Sequence, residues 1–116
     1  MERTETPRFV VIPEFRVKPE LMEAFLAAAL DDARHSVADE AGCHQFDVVR
    51  PERAVDTVLF YEVYDDRAAF ERHLTTLHLK RFQDAMKTLD VEETVVRFLN
   101  LVIAEDARVL GAGALV

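Results

Sequence analysis

Hydrophobic and polar positions alternate from Phe9 to Val17, with Phe9, Val11, Phe15 and Val17 in one phase and Glu14 and Arg16 in the other. A period of two predicts a β-strand. Pro13 has no N–H to give to a neighbouring strand, so it predicts an edge position or a bulge. At Pro19 the period changes. Met22, Phe25, Leu26, Ala29, Leu30, Ala33 and Val37 recur at helical spacing as far as about Asp39, which predicts a long amphipathic helix. Pro19 suits its first turn, Glu20 and Glu23 suit its positive end, and Gly42 is a natural stop. Cys43 to Arg50 reads as a second strand, Pro51 to Asp56 as a connection of hairpin length, and Thr57 to Tyr64 as a third strand. A short helix then ends near His73. A second opens at Leu77 and carries Leu79, Phe82, Ala85, Met86 and Leu89 to about Asp90. A fourth strand is expected from about Glu93 to Ile103. Residues 1–8 read as a disordered lead and residues 104–116 as a tail of little pattern.

The order β-α-β-β-α-β predicts an α+β, ferredoxin-like domain over residues 9–103, with helices on one face of an antiparallel sheet. A monomer would need the other face to be polar. The third strand instead offers Val58, Phe60 and Tyr64 to one side and Leu59, Tyr61 and Val63 to the other. The fourth does the same with Val95, Leu99, Leu101 and Ile103 against Val96, Phe98 and Val102. An open apolar sheet face is larger than the patches monomers expose. A homodimer packed sheet on sheet is therefore expected, the alternative cover being the C-terminal tail.

Charge and composition narrow the partners. The 116 residues suit one domain with one core, and the formal net charge of -8 opposes electrostatic binding to nucleic acid or to an anionic membrane surface. There is no cationic start followed by an apolar run, and no stretch approaches the ~20 apolar residues of a membrane span. Cys43 is the single cysteine, which rules out an intrachain disulfide and makes the cytoplasm the default location. The thiol itself reads as a small apolar group at a strand start.

The segment from Phe60 to Phe82 carries the candidate chemistry. Glu62 is a charge within an apolar strand, on the same side as Phe60 and Tyr64. It is costly there unless paired or protonated. It is either a base with a raised pKa or a partner for an arginine such as Arg97. Asp47 on the second strand has the same ambiguity. Tyr64 offers a phenol to a substrate oxygen. His78, one turn before Phe82, suits acid/base work because imidazole titrates near neutrality. His73 sits where a cation meets a helix C-terminus. Arg34 and Ser36, late in the long helix, could hold a carbonyl or phosphate, although a solvated helix face explains them as well. His35 and His44 read as surface residues. Phe60 and Phe82 would supply apolar lining for a small-molecule pocket. Glycine-loop nucleotide motifs, zincin motifs and a nucleophile elbow are absent from the sequence. His73 and His78 lie five apart across a helix break, a poor spacing for a metal.

Several segments resemble one family. Glu14-Phe15-Arg16-Val17-Lys18-Pro19, Glu40-Ala41-Gly42-Cys43, Phe46-Asp47-Val48, Tyr61-Glu62-Val63-Tyr64, His73 and Thr76-Leu77-His78-Leu79 look like the antibiotic biosynthesis monooxygenase domain. The resemblance covers about Phe9 to Val102. It implies a dimeric α+β barrel and a cofactor-independent oxygenase acting on a small hydroxylated aromatic, quinol or enolisable substrate. In that chemistry a base removes a proton and the carbanion reacts with oxygen. The resemblance points to His78 as base or shuttle, with Glu62 and Tyr64 bonding the substrate. Ser36-Val37, Glu40 and the spacing of His73, Thr75, Thr76 and His78 are also similar to the branch that isomerises the phosphorylated autoinducer-2 signal. There Arg34 or Lys80 would hold the phosphate. A dimeric ligand-binding protein without catalysis is the third expectation. Leu77 stands where the family often has proline, and Tyr64 where many relatives have tryptophan.

Overall fold

A computed structural model describes residues 7–102 of the chain. The expectations for residues 1–6 and 103–116 lie outside the described residues. In chain order the elements are β1 (Phe9–Arg16), a 3-10 turn (Pro19–Leu21), α1 (Met22–Asp39), β2 (Cys43–Val49), β3 (Thr57–Tyr64), α2 (Arg67–His73), α3 (Leu77–Thr88) and β4 (Glu92–Asn100). The strands form one antiparallel sheet in the order β2-β3-β1-β4. This is the expected ferredoxin-like arrangement, with the second helix of the motif broken in two. Among the described residues no helix is long and apolar enough to cross a membrane.

Local chemistry sets the boundaries. The Asp66 side chain caps α2 by accepting from the Ala69 N–H at 2.9 Å. Thr76 caps α3 by accepting from the Leu79 N–H at 3.3 Å. Each such cap is worth ~1 kcal/mol. Asp90, at φ 56°, turns the chain from α3 into β4. Gly42 does something other than stop α1. A Cβ there would lie 2.7 Å from the Ala69 Cβ, so its missing side chain lets α2 approach the β2 entry.

Pro13 is not at an edge, because β1 lies between β3 and β4. The pairing with β3 runs to Val11↔Glu62 and resumes at Glu14↔Leu59, so the missing N–H falls in that gap. The register with β4 steps between Glu14 and Phe15. Pro13 keeps register with both neighbours, opposite Val96 on β4, so a gap in the β3 ladder, not an edge, accommodates the proline, and the bulge lies beyond it.

Even-numbered β3 residues face the helices. Phe60 pairs with Val48, Glu62 with Phe46 and Val11, and Tyr64 with Cys43 and Phe9. Phe15, Phe25, Phe60 and Phe82 make the centre of the core, with ring centroids 4.7–6.4 Å apart. The opposite sheet face carries Ile12, Leu59, Tyr61, Val95 and Leu99, together with a Glu14–Arg97 contact at 3.4 Å. Arg97 therefore cannot pair with Glu62. The two lie on opposite faces of the sheet.

Candidate active site

The site lies between the sheet and the two short helices, because β1 and β3 supply its floor and the α2–α3 break supplies a wall. A cavity of about 240 Å³ opens here. Its walls are mainly apolar, with Phe15, Phe60, Phe70, Leu79, Phe82 and Met86 prominent. The polar members are Asp32, Glu62, His73, Gln83 and Glu93. Among the described residues no lysine or arginine lines it.

Glu62 is 4% exposed. The Tyr64 hydroxyl donates to its Oε1 at 2.6 Å. Burial pushes the Glu62 carboxyl up from 4.5 to about 8, against the lowering effects of the Tyr64 hydrogen bond and of His73. Burial and then the charge of Glu62 hold the Tyr64 phenol far above its ordinary value, so Tyr64 acts as a donor. Tyr64 is one hydrogen bond removed from the cavity wall.

His73 is 3% exposed and lines the cavity. Its Nδ1 lies 2.8 Å from Glu40 Oε2. The same oxygen lies 2.5 Å from His78 Nε2. One carboxylate at the end of α1 thus gathers the last residue of α2 and the second residue of α3. Burial alone would lower the His73 pKa, but the Glu40 bond and the neighbouring carboxylates outweigh it and hold it above its ordinary value. Burial pushes Glu40 up, but its two histidine partners win and hold it low. The pair is best read as a carboxylate that stabilises the imidazolium form and fixes the ring.

Asp32 and Ser36 complete the polar layer, both at most 1% exposed. The Ser36 hydroxyl donates to Asp32 Oδ1 at 3.4 Å. Burial raises the Asp32 carboxyl to about 6, against His73 and His78.

Of the residues singled out from the sequence, Glu62, His73, Phe60 and Phe82 come together on the cavity wall. Tyr64 stands directly behind Glu62. His78 stands behind His73, joined to it through Glu40 instead of facing the cavity. Asp47 is elsewhere. It pairs with Tyr61 on the opposite sheet face, is exposed, and accepts from Gln45 Nε2 at 2.7 Å. Arg34 and Lys80 are exposed and outside the lining. Cys43 is buried and burial pushes its thiol up to about 12, so it is inert packing. The sequence reading passed over Asp32 and gave Glu40 no role. The signal for Asp32 was its position: it falls on the buried stripe of Phe25, Ala29, Ala33 and Ser36, three residues after Ala29.

A cavity of about 240 Å³ on the helical face of a ferredoxin-like sheet, with the Glu62 carboxyl and the Glu40-backed His73 ring on its wall, defines the class as an α+β domain with a candidate site between sheet and helices. The chain belongs to the antibiotic biosynthesis monooxygenase family, whose profile matches residues 8–85. It is similar to crystal structures of assigned but unproven members of that family. The protein from Caulobacter crescentus shows 23% identity and a TM-score of 0.76 over 84% of this chain and 92% of that one. The protein from Nitrosomonas europaea shows 23% identity and a TM-score of 0.75 over 82% and 99%. A conserved protein from Methanosarcina mazei is similar at 20% identity and a TM-score of 0.74 over 82% and 93%. At these identities the likeness is one of fold. No curated protein matches the chain significantly.

Proposed function

We propose that the protein is a cofactor-independent monooxygenase that oxidises a small, uncharged quinol or other enolisable ring, working as a homodimer joined through the outer sheet face. The observation that carries this reading is Glu62: a buried carboxyl on an apolar cavity wall, lifted to about 8, so that its ionised fraction, which grows as the pH rises towards 8, is a much stronger base than an ordinary carboxylate. Family membership supports the reaction class.

In this mechanism the Glu62 carboxylate removes a proton from a substrate carbon beside a carbonyl or phenol. His73, held by Glu40, gives an N–H to the oxygen on which charge develops. The carbanion then reduces oxygen directly. For a methylene carbon, one oxygen atom becomes the new carbonyl, and the other leaves as water with the two hydrogens from carbon. The apolar wall keeps bulk water from the carbanion. Tyr64 and His78 are positioning residues, the first for Glu62 and the second for Glu40 and so for His73.

The cavity limits the substrate. Its volume is below the ~300–1,000 Å³ of sites for drug-sized ligands. With three carboxyl groups and no lysine or arginine on the described lining, it suits an uncharged molecule better than a phosphorylated one.

The test is oxygen uptake by the purified chain with hydroquinones, anthrones and hydroxydiketones, alongside Glu62→Gln. Uptake by wild type that falls at least about a hundredfold in Glu62→Gln, in line with loss of a general base, supports the reading. Deuterium exchange into a hydroxydiketone without oxygen uptake would replace it with an isomerase. Uptake untouched in Glu62→Gln would remove Glu62 as the base.

A further inference from the structure

Three buried donors from three helices converge at the polar edge of the cavity. Asp32 of α1, His73 of α2 and His78 of α3 each present one ligand atom, and these atoms all lie within 4.8 Å of one another. They are 1%, 3% and 6% exposed. A second observation concerns Asp32 alone. Its Oδ1 accepts from Ser36, but its Oδ2, fully buried, has no hydrogen-bond partner among the described residues. Buried carboxylate oxygens are normally matched to a donor or a cation. The nearby imidazoles do not meet this one, because His73 Nδ1 and His78 Nε2 both turn to Glu40.

We propose that Asp32, His73 and His78 form a binding site for a divalent transition-metal ion of the zinc class. Two imidazoles and one carboxylate suit Zn²⁺ and its first-row neighbours better than Mg²⁺ or Ca²⁺, which take oxygen ligands. Three protein ligands leave a fourth tetrahedral position. With metal–ligand bonds of ~2.0–2.1 Å, tetrahedral ligand atoms lie roughly 3.4 Å apart, so the trio closes by about 1.4 Å at most. Such a closure is within the reach of side-chain rotation. Glu40, already touching both rings, serves as the partner that orients them or as a fourth ligand. Asp32 and His73 also line the cavity, which gives the ion a way in. The site goes beyond the oxygenase reading. An ion here takes the His73 ring, so the loaded protein loses the oxyanion partner that reading assigns to it.

The test uses the tag-free full chain and Co²⁺ as probe, read by its visible absorption and not by activity. One Co²⁺ per chain with a tetrahedral spectrum, displaced by Zn²⁺, is expected. Asp32→Asn and His78→Gln should each weaken binding by at least about tenfold, since even partners outside the ligand set cost that much. His35→Ala, in the exposed group with Asp31 and Asp39, should bind as wild type does. In the unsubstituted protein, Zn²⁺ should shift the imidazole NMR signals of His73 and His78 and spare those of His44. Absence of saturable binding in wild type would overturn the proposal. So would binding that survives both Asp32→Asn and His78→Gln, or signal shifts confined to His35 and His44. Metal binding without oxygen uptake, or the reverse, tells the fates of the two readings apart.

Discussion

Glu62→Gln is the sharpest perturbation of this fold, because it keeps the shape and the acceptor that Tyr64 uses while removing the proton equilibrium. Burial raises the Glu62 carboxyl from 4.5 to about 8. The folded protein therefore holds this proton more tightly than the unfolded chain does. The stability from this group is fully present below about pH 4.5, and it is lost as the pH rises through 8. At about 1.36 kcal/mol per pKa unit, the loss between about pH 5 and about pH 9 is about 4 kcal/mol. Glutamine cannot ionise, so the variant escapes the loss. Urea unfolding of both proteins at fixed chain concentration across this range gives the result as a difference, in which the contributions of Asp32 and His73 largely cancel. The variant should gain about 4 kcal/mol over wild type between the two ends. Parallel stability curves would refute the reasoning. They would mean that Glu62 is already charged at low pH, or that water reaches it in the folded state.

The same titration should appear in turnover with the opposite sign. Oxygen uptake should rise with pH through about 8 as the base ionises, and a profile flat from about pH 6 to about pH 9 would contradict it. Tyr64→Phe removes a bond that lowers the Glu62 pKa, so the inflection should move to higher pH; an unmoved inflection would deny Tyr64 its positioning role. Gly42→Ala should destabilise the fold by about 1–3 kcal/mol, because the new Cβ meets Ala69 at 2.7 Å, and Ala69→Gly should restore most of the loss in a double-variant cycle. Sedimentation equilibrium should give about twice the chain mass of 13.2 kDa, and Leu59→Glu on the outer face should bring it to one; a wild-type monomer would sink the dimer.

β1 was legible because period two survives there, β3 and β4 because their apolar runs are short and rich in β-branched and aromatic residues, and α1 because its apolar stripe is long. Asp66 and Thr76 cap the two short helices, and both are residue types whose side chains favour helix starts in any sequence. What local pattern could not give was which polar residues share a space. Asp47 and Glu62 look alike in sequence, each an acid in an apolar strand. Residue parity separates them only once the register is known, since Phe46 is the inward partner of Glu62 and Asp47 therefore faces outward. The family resemblance pointed to His78 as base or shuttle, one turn before Phe82. The His78 ring goes to Glu40, which lies just past the end of α1, 38 residues earlier in the chain but directly beside it in space. Contacts of that separation leave no trace in spacing.

The carboxyl groups then divide by environment. Burial pushes all three up, but Glu40 has two histidines and is held low; Glu62, with only a phenol to offset its burial, is held high; Asp32, beside the same histidines but bonded to neither, lies between at about 6. One helix–sheet layer thus holds a charged acid that orients a ring, a neutral acid near its working pH, and an acid with one oxygen still unmatched. The first two suffice for proton abstraction. The third has no use in that chemistry, and a cation is the ligand that would give it one.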